Sequence, residues 1–239
     1  NMKNNPKAQE PLSTSTNIER QPYHSIAEIP LPATFKRIKT KQNNFDYYLQ
    51  HLSLKENATV YLYNGEIKAN QSAQFAVLDI SVANENLQQC ADAIMRLRAE
   101  YLFAQQAYDQ LDFRDNDNTS YRFTKKPNRQ NFDKYLRTVF GMCGTASLSK
   151  QMNKVSAGNI KIGDVLIRGG FPGHAVIVMD MAENKNGEKL FLLAQSYMPA
   201  QDIHVLKNPN SATLSPWYAL NNNADIQTPE YSFKSTEWK

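Results

Sequence analysis

Two cysteines and four histidines hold most of the reactive chemistry in this chain of 239 residues. A thiol attacks a carbonyl when a base within hydrogen-bond reach takes its proton and a polar group holds that base in place. The sequence has one residue of each type on segments that can be neighbours. Cys90 lies in Gln88-Gln89-Cys90-Ala91, on the apolar stripe Leu87, Cys90, Ile94, Leu97 and Tyr101. Spacings of three and four predict a helix from Leu87 to about Tyr108, with Asn84 as its N-cap. His174 opens HAVIVM, a run apolar enough for a strand covered on both faces, and Gln195 ends the next such run, LFLLAQ. Helix, strand, strand is a workable order for nucleophile, base and orienting residue. A thiol near a helix N-terminus also gains from the helix dipole, which lowers its pKa.

Cys143 is the second candidate nucleophile. It sits in Gly141-Met142-Cys143-Gly144-Thr145, ahead of a short helical run from Ser147 to Met152, where glycine backbone allows close substrate approach. Each cysteine also reads as a small buried core residue. With a cap at Asn84, Cys90 falls about six residues into its helix, deeper than a helix-start nucleophile. A Cys90–Cys143 disulfide, open to a chain in an oxidising compartment, would remove both thiols from this chemistry. Ser196 and Tyr197 follow Gln195 and are candidates to line a substrate pocket, Tyr197 with a stacking face. Asp164 reads as a turn residue or orienting acceptor. Asp92 is placed on a different helix face from Cys90. Arg98 and Glu100 are placed on a solvated helix face or in a surface pair worth little.

The elements that must position these groups follow from pattern. Residues 1–22 have few apolar side chains and no period, and read as a flexible tether. Residues 23–239 read as one domain. A short extended segment covers 31–38. The spacing of Phe45, Tyr48, Leu49 and Leu52 predicts a helix over 44–54. Thr59–Tyr63 followed by Asn64-Gly65 predicts a type I′ hairpin, and Gln74–Val82 a strand. A long loop or a ragged hairpin around Tyr121–Phe123, a helix over 131–140 and an antiparallel meander from Val165 to Leu206 complete the pattern. Trp217 and Trp238 are expected to wrap onto the body. Helices first and strands after give an α+β fold class.

Composition excludes several functions. Hydrophobic residues are 41% and charged residues 21%, enough apolar material for a core. No run approaches the roughly 18 apolar residues of a membrane-spanning helix. The net charge of +4 is spread along the chain rather than gathered in a block, so nucleic acid is not the expected partner. Two cysteines cannot form a four-cysteine zinc site, and His24, His51, His174 and His204 make no HxxxH or HxH pair. No Gly-rich phosphate loop, GxSxG or HExxH occurs, so no metal or cofactor is expected.

Gly163-Asp164-Val165, followed by Gly173-His174-Ala175-Val176-Ile177-Val178, resembles the GD…HVxIV stretch of CHAP and NlpC-type amidases and peptidases. Gln88-Gln89-Cys90 is similar to the "QC" that carries the nucleophile in CHAP domains. The resemblance implies a papain-like fold and cleavage of peptidoglycan stem peptides or related amides. It makes Cys90 the nucleophile and His174 the base. Gln195 stands at a third position more often held by His, Asn or Glu. Cys90 precedes His174 by 84 residues and Cys143 by 31, and the shorter interval leaves little room for the helices these families place between nucleophile and base. From about Phe35 to Trp238 the chain also resembles an uncharacterised bacterial family, domain of unknown function 4846. QCADAIMRLRAEYL, GTASLSK, GDVLIRGGFPGHAVIV and LLAQSYMPAQDIHVL carry that similarity. It implies a secreted or lipid-anchored envelope protein, and a lipid anchor upstream of Asn1 is an open expectation.

Overall fold

The structure, a computed structural model, describes residues 21–239. The tether expected over 1–22 lies almost wholly outside them. In chain order the elements are β1 (Lys36–Arg37), α1 (Phe45–Gln50), β2 (Gln74–Val77), α2 (Cys90–Ala104), β3 (Asp112–Arg114), β4 (Ser120–Arg122), α3 (Arg129–Met142) and α4 (Thr145–Gln151). They continue with β5 (Val165–Arg168), β6 (His174–Glu183), β7 (Lys189–Gln195), β8 (His204–Leu206), β9 (Tyr218–Ala219), β10 (Ile226–Gln227) and β11 (Ser232–Phe233). The fold is α+β, with helices on an antiparallel sheet. Among the described residues, no helix is long and apolar enough to cross a membrane.

The sheet runs β1-β6-β7-β8-β2, with β5 also paired to β6 and β9 to β7. β6 is its spine because nine of its ten residues are buried. Ala175, Ile177 and Met179 join the larger apolar cluster, with α2, α3 and α4. Val176 and Val178 join a second cluster on the opposite face, with Phe191, Phe233 and Trp238. This is strict period-2 alternation. It slips between Val178 and Asp180, where the register against β7 shifts. Beyond that bulge Met181 lies in the second cluster and Ala182 in the first. The bulge also lets Asp180 reach α1, where Gln50 Nε2 donates to its Oδ1 at 2.7 Å.

The tail wraps the body as expected. Trp238 is fully buried and bridges to Leu166, and Trp217 donates its indole N–H to the Pro30 carbonyl at 2.7 Å. The predicted hairpin at Asn64-Gly65 forms, with a different turn. Gly65 N–H donates to the Leu62 carbonyl, and Gly65, not Asn64, takes the positive φ, +85°. That is a type I turn closed by a glycine bulge, because only one residue adopts the left-handed region a type I′ turn asks of two. The strand expected over 74–82 stops at Val77, and α1 ends at Gln50 rather than Leu54.

Candidate active site

Cys90 is the first residue of α2, with Gln89 as N-cap. This corrects the expectation that the helix begins near Asn84 and carries Cys90 in its interior. Asp92 Oδ2 accepts from the Gln89 backbone N–H at 2.9 Å, the reciprocal half of a capping box, and that bond sets the start. Leu87 stands three residues before Cys90 and continues the helical spacing in sequence alone, so periodicity overran the true boundary. The thiol thus lies where helix N–H groups have no intrahelical acceptor. Its own backbone N–H favours the thiolate, but burial dominates and pushes the thiol up to about 12. Cys90 is 5% exposed yet belongs to neither apolar cluster, whereas Cys143, at the end of α3, lies within the larger one. Both cysteines are free, so the disulfide alternative is not formed.

His174 starts β6 immediately after Gly173, whose backbone fits a space with no room for a side chain. A Cβ there would meet the Gly170 carbonyl oxygen at 2.6 Å and that of Arg168 at 2.7 Å, with Thr145 Oγ1 closer still. Gly173→Ala is therefore expected to destabilise by about 1–3 kcal/mol through overpacking, read as a fall of about 2–4 °C in Tm per kcal/mol for a chain of this size. Gly141→Ala, at a helical position where a Cβ meets nothing within 4 Å, is the matched control and is expected to leave Tm unchanged or raise it.

A buried polar chain fixes the histidine. Lys68 Nζ donates to Glu230 Oε2 at 2.6 Å, and Asn70 Nδ2 to Glu230 Oε1 at 3.1 Å. Burial opposes charge on Glu230, but Lys68 and Asn70 hold its carboxyl below the usual range. An ionised carboxylate accepts only, so the Gln195 amide nitrogen must face it, donating to Glu230 Oε2 at 2.7 Å. Gln195 Oε1 is thereby aimed at His174 Nε2, 2.8 Å away, and that nitrogen must carry the proton. His174 Nδ1 is left with a lone pair and is buried without a partner. His204 takes the opposite tautomer. Its Nδ1 donates to the Asp202 carbonyl at 2.9 Å, and its Nε2 faces the Gln195 amide at 3.4 Å. Burial pulls both imidazoles down to about 4. Long-range nitrogen NMR is expected to show His174 protonated at Nε2 and His204 at Nδ1, both neutral until pH falls toward about 4. Free-solution behaviour near pH 6.5 at either ring would contradict this network.

Tyr197 lies beside His174. Its ring centroid is 4.5 Å from that of His174, and burial pushes its hydroxyl above the usual tyrosine range. Ser196 is fully buried, and its hydroxyl bonds the carbonyls of Gln88 (3.2 Å) and Gln201 (2.9 Å), tying the end of β7 to the approach to α2. Asp164 is the turn residue expected, its Oδ2 accepting from Lys161 N–H at 2.7 Å. Tyr231 and Phe233, with centroids 4.9 and 5.9 Å from His174, complete its aromatic surround.

Sequence reading missed Glu230 and Lys68, which are 35 and 127 residues from Gln195 with no local pattern pointing to it. It also missed Gln88, which is 1% exposed. Arg96 Nη1 holds its Oε1 at 3.0 Å and leaves its Nε2 a buried donor without a partner. The QQC triplet was the one available signal, and it drew attention to the cysteine alone.

A family model described as "Domain of unknown function (4846)" matches residues 26–126 and 115–239. No curated protein and no solved structure matches the chain.

Proposed function

Because the chain belongs to the family described as domain of unknown function 4846, a description that names no activity, we propose a function from its site: thiol-dependent amide hydrolysis. The domain is papain-like in design and works at the bacterial envelope on a cell-wall peptide. The observation that carries this reading is the His174–Gln195–Glu230 chain, which leaves Nδ1 as a buried base without a partner. A cysteine on the first residue of a helix packed against β6 and β7 supports it. Cys90 Sγ attacks the carbonyl carbon as His174 Nδ1 takes the thiol proton. The Cys90 N–H and Gln88 Nε2 donate to the developing oxyanion. Nδ1 then gives its proton to the departing amine, leaving a thioester. Water, deprotonated by the same nitrogen, cleaves the thioester and restores the thiol. Gln195 keeps the imidazole in the productive tautomer throughout.

One observation favours a second reading, a non-catalytic binding module or assembly partner on the same fold. His174 is fully buried and Cys90 nearly so, and burial keeps both neutral. The deciding experiment combines a muropeptide panel, with products identified by mass spectrometry, and site-resolved alkylation from pH 5 to 9. The hydrolase reading expects a new amine and carboxylate, lost in Cys90→Ala and retained in Cys143→Ala. It also expects faster labelling at Cys90 than at Cys143, slowed by His174→Ala. Slow labelling at both sulfurs, indifferent to His174, with saturable peptide binding and no cleavage, selects the binding module.

A further inference from the structure

Seven of the eight arginines among the described residues pair with carboxylates: Arg37, Arg96, Arg114, Arg122, Arg129, Arg137 and Arg168. Arg98 is the exception. Its guanidinium lies 5.1 Å from the Phe45 ring centroid and 5.3 Å from that of Tyr101. It is half-buried, so this is not the solvated helix face that sequence suggested. Arg98 lines a cleft of about 1190 Å³, together with Lys154, Lys161 and Lys189. None of these three ammonium groups has a carboxylate partner among the described residues. Asp46 and Asp164 also line the cleft, and each has an oxygen engaged by a backbone amide, of Tyr47 and Lys161 respectively. Four cations against two occupied carboxylates leave the cleft basic.

We propose that this cleft, with Arg98 at its base, binds a phosphate group. A guanidinium packed within 5.1 and 5.3 Å of two ring centroids has restricted freedom, and its planar fork of donors suits phosphate oxygens. Three lysines around it supply the further charge that a dianion needs and a single carboxylate does not. The cleft is much larger than a phosphate ion and has room for the molecule that bears it. It is also separate from the candidate active site. Met181, on its wall, is seven residues along β6 from His174, about 23 Å at strand rise. The site therefore stands whether or not Cys90 is a nucleophile.

The test is titration of the protein with inorganic phosphate, followed by amide NMR and calorimetry, with acetate as the carboxylate control. Saturable shifts at Arg98, Lys161 and Asp164, weakened at least about tenfold in Arg98→Gln and partly kept in Arg98→Lys, are expected. Because Arg98 also packs on rings, Lys161→Glu, at an exposed position, is the variant that leaves the fold untouched and must weaken binding as well. Glycerol phosphate and vesicles of phosphatidylglycerol in phosphatidylcholine separate a soluble phosphate from a lipid headgroup. Failure to saturate, equal response to acetate, or binding unchanged in either Arg98→Gln or Lys161→Glu would overturn the proposal.

Discussion

Cys90→Ala and His174→Ala are each expected to lower peptide cleavage by about 10²–10⁴-fold, the range a positioned acid–base group contributes. The double variant is expected to be little worse than either single one, because nucleophile and base act as a unit. Gln195→Ala is expected to have a smaller effect, on the order of tenfold, since the ring survives but loses the acceptor that fixes its tautomer. The pH profile separates a catalytic from a structural role. Burial pulls His174 down to about 4, so its neutral, proton-accepting form persists well below the ordinary histidine range. Activity is therefore expected to hold from neutrality toward about pH 5, with the acid limb near 4. An acid limb at 6.5 would mean a solvated base and would count against the closed geometry around Tyr197 and Tyr231. Glu230→Gln is expected to move that limb, because Gln195 would lose the anion that orients its amide. A change in stability alone would not shift it.

The second large effect concerns folding. Arg37→Met is expected to destabilise the chain by about 3–5 kcal/mol, because it leaves Asp180 as a buried charge without its cation. Asp180 is fully buried. It accepts from Arg37 Nε at 2.6 Å, from Gln50 Nε2 at 2.7 Å and from Met181 N–H at 2.8 Å. This cluster joins β1, α1 and β6, so its loss reaches across the sheet edge. At about 2–4 °C per kcal/mol the drop in Tm is roughly 6–20 °C. Replacing both partners, Arg37→Met with Asp180→Leu, is expected to recover most of it, as apolar substitution of whole buried pairs often does. Burial already raises the Asp180 carboxyl against the pull of Arg37. Without the arginine it rises further, so the folded variant holds a proton that the unfolded chain, near 3.9, has lost. Linkage then makes low pH favour folding at this residue, and the deficit is expected to shrink as pH falls from 7 toward 4. A deficit that grows on acidification would show that the ion pair is not the cause.

Cys90 shows how far the candidate site could be read before the fold was known. Residue types, strand identities and the order helix, strand, strand all follow from apolar periodicity and spacing. The helix start does not, because a cap depends on one hydrogen bond, from Gln89 N–H to Asp92, rather than on a repeating pattern. Asp92 illustrates the same limit. Its place on the helix wheel was readable, but its function at the helix start was not. Arg98 and Glu100 were grouped as one solvated pair. In the fold Glu100 binds Arg96 and Arg129, while Arg98 turns to the rings of Phe45 and Tyr101.

What the amino-acid sequence determined by itself is the α+β class, the buried antiparallel meander, and the residues His174 and Gln195 at the ends of neighbouring strands. These rest on local periodicity, which each segment carries whatever its neighbours are. The tertiary structure alone decided that Glu230, on the tip of the β10–β11 hairpin, reaches Gln195 and sets the His174 tautomer. It alone left Arg98 without a carboxylate in a basic cleft. Both are partnerships between residues far apart in the chain, and hydrogen-bond direction and charge pairing exist only once packing has brought such residues within about 3 Å.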